Sequence, residues 1–88
     1  MPYTARFSKA FLKKYQRLPS DIKSRITESL REILIKPDNG IMLVGPLRGL
    51  WKVRVGKYRI IYEIDEKQNT VVFHDVELRK NVYKQFLG

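Results

Sequence analysis

Apolar residues recur first with a helical and then with a strand period, and the change falls near the middle of the chain. Phe11, Tyr15 and Leu18 follow i, i+4, i+7 behind Ser8, whose hydroxyl suits an N-cap. Pro19 predicts the end of that helix, and Ser20 predicts the cap of a second one. Ile22, Ile26, Leu30, Ile33 and Leu34 then mark one helical face, which Pro37 closes. Ahead of both helices, Tyr3 to Phe7 alternates weakly and reads as a short strand. Two amphipathic helices joined by Leu18-Pro19-Ser20 form a hairpin whose apolar faces need a flat surface to cover.

The second half supplies that surface. Asp38-Asn39-Gly40 reads as a turn, and Gly45-Pro46 with Gly49 keeps the following stretch irregular. From Trp51 the period becomes two: Trp51, Val53 and Val55 alternate with Lys52 and Arg54, and the pattern resumes from Tyr58 to Ile64. Gly56-Lys57 lies between, and glycine at the first loop position suits a type II′ hairpin turn. A polar loop from Asp65 to Asn69 leads to a strand over Thr70 to Val76. Val82, Tyr83 and Phe86 give the last segment, Arg79 to Leu87, a helix-compatible spacing. The expected fold class is α+β: an N-terminal strand and a helical hairpin packed on an antiparallel sheet, with a short C-terminal helix. With 88 residues and no linker, repeat or low-complexity segment, residues 1–88 read as a single domain.

Composition narrows the chemistry. Lys and Arg number 18 against 9 Asp and Glu, and this net charge of +9 points to a polyanionic partner. The absence of cysteine excludes disulfides, thiolate metal sites and thiol nucleophiles, and one His excludes clustered His ligands. No metal or cofactor is expected. Apolar runs of only a few residues predict no membrane span and no signal sequence, hence a soluble, cytoplasmic chain.

The hairpin turns the charge into a location. With Gly56-Lys57 as its loop, Val55 opposes Tyr58, Arg54 opposes Arg59 and Lys52 opposes Ile61. Directly opposed residues share a face. Trp51, Val53, Val55, Tyr58, Ile60 and Tyr62 then form a core face, and Lys52, Arg54 and Arg59 gather on the other. Lys52 and Arg54 stand about 7 Å apart along the strand, and Arg59 lies about 5 Å across from Arg54. Between Asp38 and Glu63 there are five basic side chains and no acidic one, so local neutralisation is not expected. Like charges directly opposite cost stability, which favours an anion site over a merely solvated face. A register slip of one residue would scatter the cluster.

Other candidates are weaker. Lys9, Lys13, Lys14 and Arg17 belong to the first helix, where lysine ordinarily faces water, although diffuse docking of a polyanion also suits them. Arg48, Lys57 and Lys80 extend this candidate RNA-binding set. His74, read in step with Val72 and Val76, suits a hydrogen-bonded structural role better than a catalytic one. Trp51 leads the core face and is expected to pack there.

The run Leu50 to Tyr62, with its Gly-x-Tyr-Arg hairpin, resembles the central strands of the RelE/ParE toxin superfamily. Phe7-Ser8-Lys9, the Leu18-Pro19 break, Leu47 to Gly49 and the ending Arg79-Lys80-Asn81-Val82-Tyr83 extend that resemblance over essentially the whole chain. The resemblance to RelE-type members implies a toxin of a type II toxin–antitoxin system. Such a toxin cuts mRNA in the ribosomal A site without metal, by attack of the ribose 2′-OH on the adjacent phosphate. It implies a catalytic set of Lys52, Arg54, Arg59, Arg79 and Tyr83. Arg54 stands where RelE has a second lysine, and it keeps the charge while being a poor proton shuttle. Leu78 stands where many relatives place His. The implied partners are the ribosome, mRNA and a RelB-like antitoxin, in a heterotetrameric or heterodimeric complex, with no membrane. ParE-like members share the fold but inhibit DNA gyrase without catalysis, and a plain basic RNA-binding module is a third reading.

Overall fold

The computed structural model describes residues 2–78, so the C-terminal helix expected over 79–87 and the candidates Arg79, Lys80 and Tyr83 lie outside the described residues. Strand β1 (Thr4–Phe7) leads into helix α1 (Lys9–Gln16) and helix α2 (Ser20–Ile35). Strands β2 (Ile41–Met42), β3 (Trp51–Val55), β4 (Tyr58–Asp65) and β5 (Thr70–Leu78) follow. They form one sheet in the order β1-β5-β4-β3-β2. The sheet is mixed rather than antiparallel, because β1 runs parallel to β5, with Thr4 beside Thr70 and Phe7 beside Phe73. The two-residue β2, pairing Ile41 with Lys52 and Met42 with Trp51, falls in the stretch expected to be irregular.

Helix α1 begins where the sequence places it. Ser8 Oγ accepts a hydrogen bond of 3.0 Å from Phe11 N–H and donates one of 2.7 Å to the His74 carbonyl, so one hydroxyl caps α1 and docks it on β5. Ser20 does not cap α2; Pro19 is the N-cap, and Ser20 is the first helical residue. Proline fixes φ near the value a helix entry needs, and α2 starts without a side-chain cap hydrogen bond.

The helices cover one face of the sheet. Phe11, Ile26 and Ile33 pack with Val55, Ile60, Tyr62, Val71, Phe73 and Val76, and Trp51 and Val53 border this core. Trp51 lies stacked on Tyr62 with ring centroids 6.3 Å apart. Tyr62 is fully buried, and its hydroxyl donates a 2.6 Å hydrogen bond to the Pro37 carbonyl. Gly40 leaves room for that hydroxyl, since a Cβ there would collide with it. The sheet's outer face carries a second, smaller cluster. Ile61 is fully buried there under Leu43, Leu47 and Leu50. The 43–50 segment, closed by Leu43 N–H bonding the Leu50 carbonyl at 2.9 Å, is therefore a cover folded over the outer face.

Candidate functional site

The β3–β4 hairpin has the expected register: Val55 faces Tyr58, Arg54 faces Arg59 and Lys52 faces Ile61. Gly56 adopts φ +59, the left-handed value a type II′ turn demands at its first position. Lys52, Arg54 and Arg59 consequently share the outer face, with Arg54 exposed and the other two half-buried.

The outer face extends across the strands as two rows. Ile41, Lys52, Ile61 and Asp75 form one row, and Arg54, Arg59 and Glu77 form the next. The basic cluster therefore has acidic neighbours, contrary to the expectation from local sequence. The carboxylates belong to β5, beyond the window in which no acid occurs, and only strand pairing brings them near. Their phase depends on a bulge: register shifts between Ile61 and Tyr62, which pair with Asp75 and Phe73, leaving His74 as the extra residue. His74 accordingly does not share a face with Val76. Val76 turns into the core, whereas His74 Nε2 lies 3.0 Å from Glu63 Oε1 on the outer side.

A lysine from the helical layer meets these carboxylates. Lys14 Nζ stands 2.9 Å from Asp75 Oδ1 and 3.1 Å from Glu77 Oε2. β1 covers β5 only as far as Phe73, so Lys14 reaches past the strand edge that β1 leaves open. Asp75 Oδ1 also accepts Val76 N–H at 2.9 Å, and Glu77 Oε1 accepts Leu78 N–H at 3.1 Å. Burial alone lowers the Lys14 pKa, but hydrogen bonds to Asp75 and Glu77 outweigh it, and the net direction is up. Lys14 is therefore an internal counter-ion, although its sequence position suggests a surface cation.

The remaining candidates divide by layer. Lys9, Lys13 and Arg17 are exposed on or beside α1, in the helical layer, and Arg17 lines a cleft with Lys14, Tyr58 and Glu77. Arg48 and Lys57 are exposed in the 43–50 cover and at the hairpin turn. Asp75 and Glu77 were missed as site neighbours. The signal was present in Phe73 and Val76, two core residues three positions apart, which strict alternation cannot place on one face. Among the described residues, no group of three or more His, Cys, Asp and Glu side chains could hold a metal ion. No helix among them is long and apolar enough to cross a membrane.

A two-helix layer on a mixed sheet, with a cationic hairpin on the face away from the helices, defines a recognisable class. The model for the ParE toxin of type II toxin–antitoxin system, parDE, matches residues 5–83. Toxin RelG of Mycobacterium tuberculosis is 32% identical over 87 residues, covering 97% of this chain and all of RelG. A chain of the toxin–antitoxin complex RelBE2 from Mycobacterium tuberculosis superposes with a TM-score of 0.83 at 32% identity, over 90% of this chain and 93% of that one. The isolated E. coli RelE toxin has the same fold, with a TM-score of 0.76 at 22% identity over 94% and 93%. The chain belongs to the RelE/ParE superfamily and is a toxin of the type II toxin–antitoxin class.

Proposed function

We propose that this toxin is a ribosome-dependent endoribonuclease that cleaves mRNA in the A site and so blocks translation. The observation carrying this reading is the Arg54–Arg59 cross-strand pair with Lys52 two residues along the same face. Two guanidinium groups on adjacent strands suit a phosphodiester, which accepts paired N–H donors and gains negative charge on its oxygens in the transition state. Lys52 orients the ribose 2′-OH or accepts its proton. As its proton leaves, the 2′-oxygen attacks phosphorus, the bond to the 5′-oxygen breaks, that oxygen takes up a proton to depart as a 5′-hydroxyl, and a 2′,3′-cyclic phosphate remains. Arg79 is assigned to the leaving oxygen, and Tyr83 to stacking a base or sharing proton transfer.

RNA supplies its own nucleophile, and in-line positioning carries much of the rate, which accounts for a requirement that the ribosome hold the mRNA. Expression in cells should cut mRNA and stop protein synthesis, and cleavage should persist in EDTA once ribosome integrity is controlled. A codon with a 2′-deoxy or 2′-O-methyl sugar at the scissile position should resist cutting. Normal-rate cleavage of that blocked codon would refute the mechanism.

The match to the ParE toxin model favours one second reading, non-enzymatic inhibition of DNA gyrase. A DNA-damage response without mRNA cleavage would select it. On either reading the basic surface calls for a partner rich in Asp and Glu, and a RelB-like antitoxin that orders on binding fits. Co-expression with the neighbouring open reading frame should restore growth and yield a stable complex, heterodimeric or heterotetrameric.

A further inference from the structure

We propose that Lys14 is a positioning residue for the basic face: it holds Asp75 and Glu77 at the α1 edge of β5 and offsets their charge, preserving affinity for a phosphodiester at Lys52, Arg54 and Arg59. The inference rests on reading that face as a phosphate site.

Three observations carry it. Glu77 is the cross-strand neighbour of Arg59, and Asp75 occupies the row of Lys52. Directly opposed side chains stand about 5 Å apart, close enough for a carboxylate to compete with a phosphate for a guanidinium. Lys14 Nζ contacts both carboxylates, at 2.9 Å and 3.1 Å, from helix α1. Asp75 and Glu77 bring two carboxylates to the site's border, and Lys14 contributes a positive charge in contact with both. The backbone N–H groups of Val76 and Leu78 hold the same carboxylates along the strand. Lys14 is anchored in turn, because Ser8 fixes the start of α1 to the His74 carbonyl, next to Asp75. A helix-borne cation thus shapes the field of a site on the opposite face without facing the substrate.

The test is a double-mutant cycle read by fluorescence anisotropy with a short 2′-O-methyl oligoribonucleotide, which binds but is not cut. Lys14→Met should weaken binding by roughly five- to tenfold, and Lys14→Arg should retain affinity. Glu77→Gln should change affinity by less than about twofold when Lys14 is present, and raise it by about fivefold in the Lys14→Met background. An equal effect of Glu77→Gln in both backgrounds would overturn the inference, since Lys14 then acts independently of Glu77. Asp75 is buried, so Lys14→Met risks unfolding; in that case Lys14→Met/Asp75→Asn provides the background for the same comparison. Arg59→Ala separates the two levels of argument. If it binds the probe like the unaltered chain, the phosphate-site reading fails; if it binds weakly while the cycle shows no coupling, only the role of Lys14 fails.

Discussion

Arg59 and Tyr62 lie three residues apart on β4 and do opposite things with a polar group. Arg59 places its charge on the outer face between Arg54 and Glu77, so its removal relieves one repulsion and loses one attraction, and the two effects on the fold largely offset. Arg59→Ala should abolish toxicity while changing unfolding stability by no more than about 1 kcal/mol, a combination read by growth assay and urea denaturation together. A folded variant that remains fully toxic would contradict the site. Tyr62 buries its hydroxyl, and burial pushes its pKa up to about 12. Because the folded value lies above the unfolded one, the associated stability is fully present below about pH 10 and is lost as pH rises through about 12. The alkaline loss should reach about 2–3 kcal/mol at most, because each tenfold change in acidity corresponds to about 1.4 kcal/mol. Tyr62→Phe removes this titration, so its stability should fall less steeply between pH 10 and 12, even though losing the hydrogen bond to Pro37 lowers its neutral-pH stability by about 1–2 kcal/mol.

Single elements reach the site through few contacts, and α1 has the most economical one. Ser8→Ala removes both the cap on Phe11 N–H and the hydrogen bond to the His74 carbonyl, and should cost about 1–3 kcal/mol in denaturant unfolding. If the cost is no greater than that of exposed Ser24→Ala, the docking role of Ser8 is wrong. This element was readable from the sequence because capping and i, i+4 spacing are local. The β3–β4 hairpin was readable for the same reason: a two-residue turn with glycine at its left-handed position fixes register over short range. What escaped was non-local. The parallel β1–β5 pairing joins residues 66 positions apart, with Thr4 beside Thr70, and no periodicity in either segment reports it. The bulge at His74 shifts the phase of β5 by one residue, so alternation counted from Val72 puts Val76 on the outer face, whereas it lies in the core. The acidic border of the site was hidden with it. The burial of Ile61 among cations was not legible either, because its cover, Leu43, Leu47 and Leu50, comes from a segment with no regular period.

Among the described residues, cations of a chain with net charge +9 lie on both sides of the sheet. Lys9, Lys13 and Arg17 belong to the helical layer, whereas Lys52, Arg54 and Arg59 share the outer face with Arg48 and Lys57 at its margins. Total charge governs how fast a polyanion is drawn in, but only cations that touch phosphates release counter-ions on binding. The two contributions separate in salt titrations. For single-stranded RNA each phosphate contact contributes about −0.7 to the slope of log K against log salt concentration, so three contacts from Lys52, Arg54 and Arg59 give roughly −2. Arg54→Ala should make the slope for an uncut oligoribonucleotide shallower by about 0.7 and weaken binding similarly for all sequences. Replacing Lys9 and Lys13 together with Ala should slow association at low salt while leaving the slope within error of the unaltered chain. Equal slope changes from the two sets would mean that RNA wraps from the sheet onto the helices, and the outer face alone would no longer define the interface.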